Sequence, residues 1–131
     1  MTKRGKITLT VEKTDTGFSA YTNSYPIFTT GKTVQELMRN AVEAVALYFE
    51  DKATPVRQSD LKFEIDIRQF FQYYKVLNAK FLAEKIGMNA TLLSQYVQGH
   101  KKPSERQTEK ILAGIHQIGL ELSRINLFYK D

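Results

Sequence analysis

The sequence predicts an α+β protein in which a small sheet, covered by one helix, precedes an all-α segment. Apolar and polar residues alternate over 6–13 and again over 61–66, which is the two-residue period of strands. Between these segments, apolar residues recur over 34–49 at the spacing of an amphipathic helix. We therefore expect two domains, residues 1–66 with the sheet and residues 67–131 with helices alone.

Three strands are expected before the first helix. Residues 6–13 form the first strand, Thr14–Gly17 has the composition of a turn, and Phe18–Tyr25 forms the second strand. Residues 27–30 form a short third strand after a proline. Residues 61–66 should add a fourth strand, so the predicted order of the N-terminal domain is β-β-β-α-β.

The first helix has a clear start signal and a clear apolar side. Thr33 and Glu36 have the spacing of a capping box, in which each side chain can accept a hydrogen bond from the other residue's backbone N–H. Leu37, Ala41 and Val45 then follow at intervals of four residues, which places them on one side of a helix. We expect this side to cover the sheet.

Residues 78–104 carry the most specific pattern in the chain. Asn78 can cap a short helix that Gly87 ends, and Asn89 can cap a second short helix that Gly99 ends. A basic loop follows the second glycine. This is the pattern of a helix-turn-helix, whose second helix enters the major groove of DNA. The alternative interpretation is two core helices joined by a tight turn.

The net charge of +5 is confined to the half that contains this pattern. Residues 1–66 hold nine Lys/Arg and nine Asp/Glu, whereas residues 67–131 hold ten Lys/Arg and five Asp/Glu. An excess of positive charge beside a helix-turn-helix is what binding to phosphate requires. The charge thus favours double-stranded DNA as a partner.

The predicted roles within this pattern follow from side-chain chemistry. Helix 79–86 would cross the DNA backbone, and helix 90–98 would enter the groove. Gln95 could read adenine through N6 and N7, while the methyl groups of Ala90 and Thr91 could contact a thymine methyl. Leu92 is unusual at an outer position, and we interpret it as a core or partner contact. The candidate DNA-binding residues are Asn89, Ala90, Thr91, Ser94, Gln95, Gln98 and, for phosphate, Lys101, Lys102 and Arg106.

Helices are also expected on both sides of this pattern. Residues 68–77 should form the first helix of the C-terminal domain and contribute to its core. Ser104 and Gln107 form another capping box, which opens a long helix that Gly119 should break or bend. The apolar surplus of this tail predicts a homodimer through residues 110–128, with two recognition helices about 34 Å apart on a palindromic operator. Alternatively, the tail packs on the front half of its own chain.

Catalysis and metal binding are not expected. The carboxylates do not lie in the middle of the first strand, where metal chemistry on such a sheet would need one, and neither histidine has a ligand at metal-binding spacing. There is no cysteine and no apolar run of about 20 residues, so we expect a soluble, cytoplasmic protein without a cofactor. The residues considered and set aside are Glu12, Glu36, Glu64, Asp66, His100 and His116.

Two motifs carry a resemblance to known families. Leu82–Gly87, Leu93–Tyr96 and Gly99–Ser104 resemble the helix-turn-helix of the Xre/Cro repressor group, in which Thr91, Ser94 and Gln95 match base-contacting positions. Over about residues 5–128, the chain also resembles HicB-type antitoxins.

The front half carries the HicB resemblance through one segment. Tyr25–Leu37, continued by Asn40–Ala44, is similar to that family's succession of proline, threonine-glycine, threonine and acidic helix. Pro26 is followed directly by Ile27, and the loop is shorter than in the family.

The resemblance implies a fold and a function. It implies a partial RNase H-like N-terminal domain that binds and blocks a HicA-like ribonuclease toxin, and a C-terminal domain that represses the shared operon. Two other functions are open, a stand-alone transcriptional regulator whose N-terminal domain senses a ligand or dimerises, and a metal-dependent nuclease. The candidate toxin-binding residues are the aromatics Tyr21, Tyr25, Phe28 and Tyr48.

Overall fold

A computed structural model describes residues 6–50 and 55–125 of the chain. It is a mixed α and β structure with a four-stranded sheet and five α-helices in the described residues. The chain divides into two compact units, Met1–Tyr73 and Tyr74–Asp131. Each unit is described by itself.

The first unit is built on a mixed sheet. Its strands are β1 (Ile7–Thr14), β2 (Gly17–Thr22), β3 (Ile27–Gly31) and β4 (Leu61–Ile65). They lie in the order β3-β2-β1-β4, with β1 antiparallel to β2 and parallel to β4. The four predicted strands and their β-β-β-α-β order are confirmed, including the return of the last strand to the same sheet.

Strand β2 is shorter than predicted, because it ends at Thr22 and not at Tyr25. The backbone N–H of Ser24 donates to Thr22 Oγ1 at 3.3 Å, and the N–H of Ile27 donates to the Tyr25 carbonyl at 2.7 Å. Local hydrogen bonds therefore replace the ladder at these positions, as is usual before a proline.

Helix α1 (Val34–Phe49) covers one face of this sheet, as predicted. Thr33 Oγ1 accepts a hydrogen bond from the backbone N–H of Glu36 at 3.1 Å, which satisfies one of the free donors at the start of the helix. A Cβ at Gly31 would lie 2.4 Å from the Leu37 backbone nitrogen, so this glycine allows helix and sheet to approach closely. The buried core comprises Ile7, Leu9, Val11, Ala20, Ile27, Leu37, Ala41, Val45 and Leu61.

Helix α2 (Ile67–Tyr73) belongs to the first unit, which corrects the expectation that residues 68–77 start the C-terminal bundle. The Gln69 side chain forms two hydrogen bonds with the backbone of Lys13 in β1: its Oε1 accepts from the N–H at 2.9 Å, and its Nε2 donates to the carbonyl at 2.7 Å. Asp66 caps the helix by accepting from the Gln69 N–H at 3.0 Å, as predicted. Tyr73 adds a hydrogen bond to Asp15 at 2.9 Å.

In its described residues, up to 125, the second unit contains three helices, α3 (Ala79–Ile86), α4 (Ala90–Gln98) and α5 (Glu105–Ser123). The bounds predicted for α3 and α4 are confirmed. Helix α3 packs against both α4 and α5. The buried apolar residues are Leu82, Ala83, Met88, Leu93, Tyr96 and Ile111, a small core for an independent unit.

The prediction that Gly119 breaks or bends the last helix is wrong as regards a break, because α5 continues through Gly119 to Ser123. One glycine inside a helix costs only about 1 kcal/mol relative to alanine, which is too little to end a long helix. Of the predicted dimer segment 110–128, residues 126–128 lie outside the described residues.

A second glycine of α5 has a clear packing role. A Cβ at Gly114 would lie 2.2 Å from Ile86 Cγ2, so the absence of a side chain lets α5 approach α3. Further along, Lys85 of α3 forms an ion pair with Glu121 of α5 at 3.1 Å. Because both side chains are about half exposed, this pair contributes little stability.

Candidate nucleic-acid interface

The turn between α3 and α4 is fixed by local hydrogen bonds. Asn78 caps α3, with its Oδ1 accepting from the Phe81 N–H at 3.1 Å. Gly87 ends the helix in the left-handed conformation at φ 68°, and the N–H of Met88 donates back to the Ala83 carbonyl at 2.9 Å. This is the Schellman arrangement, which glycine favours because a Cβ is strained at such a φ. The sequence-based assignment of caps is confirmed here.

Helix α4 starts with a second asparagine cap. Asn89 Oδ1 accepts from the N–H of Leu92 at 3.0 Å, so the oxygen of this candidate DNA-binding side chain has a structural role. Leu93 and Tyr96 turn inward and are buried, whereas Leu92 is half-buried. The half-burial of Leu92 agrees with its interpretation as a contact residue.

The side of α4 opposite its buried residues is polar and uncharged. Thr91 and Gln98 are exposed, and Ser94 and Gln95 are partly exposed. Ser94, Gln95 and Gln98 come three, four and seven positions after Thr91, so the four residues lie along one side of the helix. Ala90 is exposed at the first turn. The candidate base-reading residues thus occupy one continuous surface.

The loop after α4 is attached to that helix by its backbone. Gly99 ends α4 at φ 81°, and its N–H points to the carbonyls of Gln95 and Tyr96, the latter at 3.1 Å. The next two backbone N–H groups, those of His100 and Lys101, donate to the Gln95 carbonyl at 2.8 Å and 3.2 Å. The start of the basic loop therefore has a fixed position relative to Gln95.

The candidate phosphate-binding residues follow this anchor. Lys101, Lys102 and Arg106 are all exposed. Arg106 lies in the first turn of α5, whose cap Ser104 accepts from the Gln107 N–H at 3.2 Å. Of the nine candidates between Asn89 and Arg106, those in and directly before α4 are therefore uncharged, and the three that follow α4 in sequence are exposed cations.

The four aromatic candidates of the first unit do not form one surface. Tyr21 and Phe28 are opposite each other in the register of β2 and β3, on the sheet face away from α1, and Phe28 is 66% exposed. Tyr25 instead contacts Tyr48 of α1, with ring centroids 5.3 Å apart. The sequence could not indicate which of these residues belong together.

Phe49 completes the second aromatic group and was not among the candidates. Its ring lies 5.0 Å from that of Tyr25 and 5.0 Å from that of Tyr48, and both contacts are edge-on. Its helical spacing indicated only a core position. Tyr25, Phe49 and Lys6 also line an open cavity of about 290 Å³ at the edge of the first unit.

Tyr21 has the perturbed acidity of a partly buried phenol among carboxylates. Burial raises the pKa of Tyr21 above its ordinary value, and the negative charges of Glu12 and Asp66 raise it further. Hydrogen bonds to Thr10 and Glu12 have opposite and smaller effects on this pKa.

Two of the other carboxylates considered for catalysis, Glu64 and Asp66, have structural contacts in this unit. Glu64 pairs with Lys62 at 3.5 Å on the face away from α1, and Asp66 caps α2. Among residues 6–50 and 55–125, no group of three or more His, Cys, Asp or Glu side chains could hold a metal ion. Both histidines, His100 and His116, are exposed.

The comparisons with known proteins give no assignment. No protein-family model, no curated protein and no solved structure matches the chain. Within the part of the chain that the structure describes, no helix is long and apolar enough to span a membrane.

Proposed function

We propose that the chain is a sequence-specific DNA-binding repressor that uses α3 and α4 as a helix-turn-helix. The observation that carries this proposal is the surface of α4, whose outward side offers hydrogen-bonding side chains and is followed by exposed cations. Helix α3 and its Schellman turn hold α4 against the core through Leu93 and Tyr96. Side chains presented from a rigid helix are the usual means of reading base edges.

The test separates base reading from phosphate binding. Gln95→Ala should reduce discrimination between operator and unrelated duplex by about 1–3 kcal/mol. Lys101→Ala should weaken binding to all duplexes alike and reduce the slope of log affinity against log salt by about 1. Both are measured by titrating labelled duplexes at several salt concentrations. If neither variant changes affinity, α4 is not the DNA-binding helix.

The proposed repressor acts as a homodimer through residues 110–128. Support comes from α5, where Leu122 is 63% exposed, and from Ile125 directly after it, which is 64% exposed. Exposed apolar side chains on a unit with a small core favour a second copy as their cover. Light scattering should give the mass of a dimer, and Leu122→Ser with Ile125→Ser should give that of a monomer.

We further propose that the N-terminal unit neutralises a HicA-like ribonuclease toxin, which makes the protein an antitoxin. The support is the resemblance in sequence together with the exposed aromatic residues Phe28 and Tyr48, since such residues are enriched at protein interfaces. Co-expression with the product of an adjacent small basic reading frame should rescue growth. Phe28→Ala and Tyr48→Ala, made separately, should show which aromatic surface is needed, because the two residues belong to different surfaces.

The alternative is a stand-alone regulator whose N-terminal unit senses a small ligand. The cavity of about 290 Å³ supports this alternative, because Lys6, the aromatic residues Tyr25 and Phe49, and the hydroxyl-bearing residues Thr8, Thr22 and Ser24 line it. A change in operator affinity on adding a metabolite extract, lost in Phe49→Ala, would support this function. Rescue by the native chain from a co-expressed ribonuclease would support the antitoxin.

A further inference from the structure

Helix α4 has no charged side chain that could donate or accept a hydrogen bond at a base edge. Its sequence from Ala90 to Gln98 contains no Lys, Arg, Asp or Glu. The cations nearest in sequence after it, Lys101 and Lys102, lie in the loop whose backbone is bound to the Gln95 carbonyl. The charges of this surface are therefore separated from its base-facing side chains.

This separation limits which bases can be read. In the major groove, guanine is read most often by two hydrogen bonds from Arg or Lys to O6 and N7, and cytosine N4 by an acidic side chain. Adenine is read by Gln or Asn through N6 and N7, and thymine by apolar contact with its methyl group. The outward side of α4 offers Gln95, Gln98 and the methyl groups of Ala90 and Thr91. It thus carries the donors, acceptors and methyls for A·T pairs.

We infer that α4 selects a half-site dominated by A·T pairs, with Gln95 binding adenine N6 and N7 and with Ala90 and Thr91 contacting thymine methyl groups. This inference rests on the proposed function and adds the class of operator to it. The cations after α4 contribute affinity without sequence preference, because they bind phosphate.

The position of Gln95 favours it over Gln98 as the adenine-reading residue. Gln95 is one turn before the end of α4, and its carbonyl accepts the N–H groups of His100 and Lys101 at 2.8 Å and 3.2 Å. Its backbone is therefore held from both sides. Gln98 is the last residue of the helix and is followed by Gly99 in the left-handed conformation. A residue that reads two atoms of one base needs the more rigid backbone.

The experiment starts with selection of bound duplexes from a random pool by the full-length protein. The expected result is enriched half-sites in which A·T pairs occupy the positions of strongest preference. Each enriched adenine is then replaced by 7-deazaadenine, which lacks the N7 acceptor but still pairs with thymine. At one position this removes one of the two hydrogen bonds to Gln95 and should weaken binding by about 2- to 12-fold.

The matched control is the same replacement tested with Gln95→Ala. Because this variant has already lost the contact, 7-deazaadenine should cause no further loss at that position, whereas Gln98→Ala should keep the native response. Replacing thymine by deoxyuridine removes one methyl group and should weaken binding severalfold in the native protein. That loss should shrink when Ala90 and Thr91 are replaced by glycine and serine.

Each outcome has a definite meaning. Enriched sites with invariant G·C pairs in the contacted positions, or tight binding unaffected by 7-deazaadenine, would overturn the A·T inference and leave the repressor proposal standing. A pool without any enriched sequence, and without binding to duplex DNA, would overturn both. As a sharper variant, Gln95→Arg should move the preferred base at one position from adenine to guanine.

Discussion

The two longest helices, α1 and α5, follow the same amphipathic pattern but are covered very differently. Helix α1 has 16 residues and buries Leu37, Ala41 and Val45 over most of its length. Helix α5 has 19 residues and buries only Ile111 and Gly114, both in its first half. Its residues 115–123 are all half-buried or exposed. An apolar stripe therefore predicts that one side of a helix packs against something, but it does not identify the packing partner.

The lengths of the packing partners explain the difference. Helix α1 lies on a sheet of four strands, which is wide enough for a helix of this size. Helix α5 packs on α3, which has eight residues and is about 12 Å long, whereas α5 itself is about 28 Å long. Helix α3 is therefore too short to cover the whole of α5, and it reaches the second half of α5 through the ion pair of Lys85 with Glu121. The exposed apolar side chains of that half are consistent with the proposed second copy of the chain.

We expect the largest effect on stability when one leucine from each helix is replaced by alanine and the two losses of unfolding free energy are compared. Leu37→Ala should cost about 2–5 kcal/mol of unfolding free energy, because Leu37 is almost fully buried and its removal leaves a cavity. Leu122→Ala should cost under about 0.5 kcal/mol in dilute protein, where this side chain is exposed. Urea unfolding followed by circular dichroism measures both. At high concentration, the Leu122 cost should increase if α5 dimerises; a large cost at every concentration would contradict the comparison.

The two glycines of α5 provide a matched pair. Gly114→Ala should destabilise the second unit by about 1–3 kcal/mol, because the new methyl group would overlap Ile86. Gly119→Ala should instead stabilise it by about 0.5–1 kcal/mol, since a Cβ there has no neighbour within 4 Å and alanine is the better helix former. Hydrogen exchange of the α3 and α5 amides measures the change in local stability, which should have opposite signs in the two variants. Equal effects would show that α5 packs on another side.

The caps of the two helices should matter about equally, despite the difference in burial. Thr33→Ala and Ser104→Ala each remove a side-chain acceptor for one backbone N–H, at 3.1 Å and 3.2 Å respectively. Each should cost about 0.5–2 kcal/mol. Thermal unfolding of the single variants gives the two values, and Thr33→Ser should keep most of the stability. A negligible cost for Ser104→Ala alone would mean that α5 is frayed at its start.

The smallest effect concerns the sheet face that α1 leaves uncovered. The raised pKa of Tyr21 means that the folded state holds the phenolic proton more tightly than the unfolded state. This contribution to stability is complete below the ordinary pKa of tyrosine, about 10, and is lost as pH rises through the higher folded pKa. Glu12→Gln should lower the pKa of Tyr21. Ultraviolet titration, with Tyr21→Phe as the reference, measures the shift, and an upward shift would contradict the assigned cause.

Features that depend on neighbouring residues were predictable from the sequence. The caps at Thr33, Asn78, Asn89 and Ser104 lie within three residues of their partners, and each was predicted and confirmed. The bounds of α3 and α4 were also predicted, because an asparagine cap marks the start of each helix and a glycine marks its end. Local hydrogen-bonding chemistry is fully contained in a short stretch of sequence.

Two features that depend on distant residues were not predictable, although the return of β4 to the sheet was. Helix α2 belongs to the first unit because Gln69 forms hydrogen bonds with the backbone of Lys13. This partner is 56 residues away, so the sequence around α2 does not indicate it. In the same way, the sequence suggested Tyr25, Tyr48 and Phe28 as candidates together. It did not indicate that Tyr25 and Tyr48 contact each other on one surface while Phe28 lies on another. The exposure of Thr91 and Gln98 follows from helical period, but the attachment of the basic loop to Gln95 does not.

Because of that attachment, residues 89–102 could be transferred to another protein as one segment with its internal geometry preserved. Because the N–H groups of Gly99, His100 and Lys101 all point to the Gln95 carbonyl, the loop lysines keep a constant offset from the proposed base-reading residue Gln95. A chimera that grafts α4 alone onto another helical protein would lose this offset, whereas a graft that includes the loop would transfer both parts. Under the proposed function, an insertion after Gly99 should shift where the protein sits along the duplex while leaving its preferred bases unchanged.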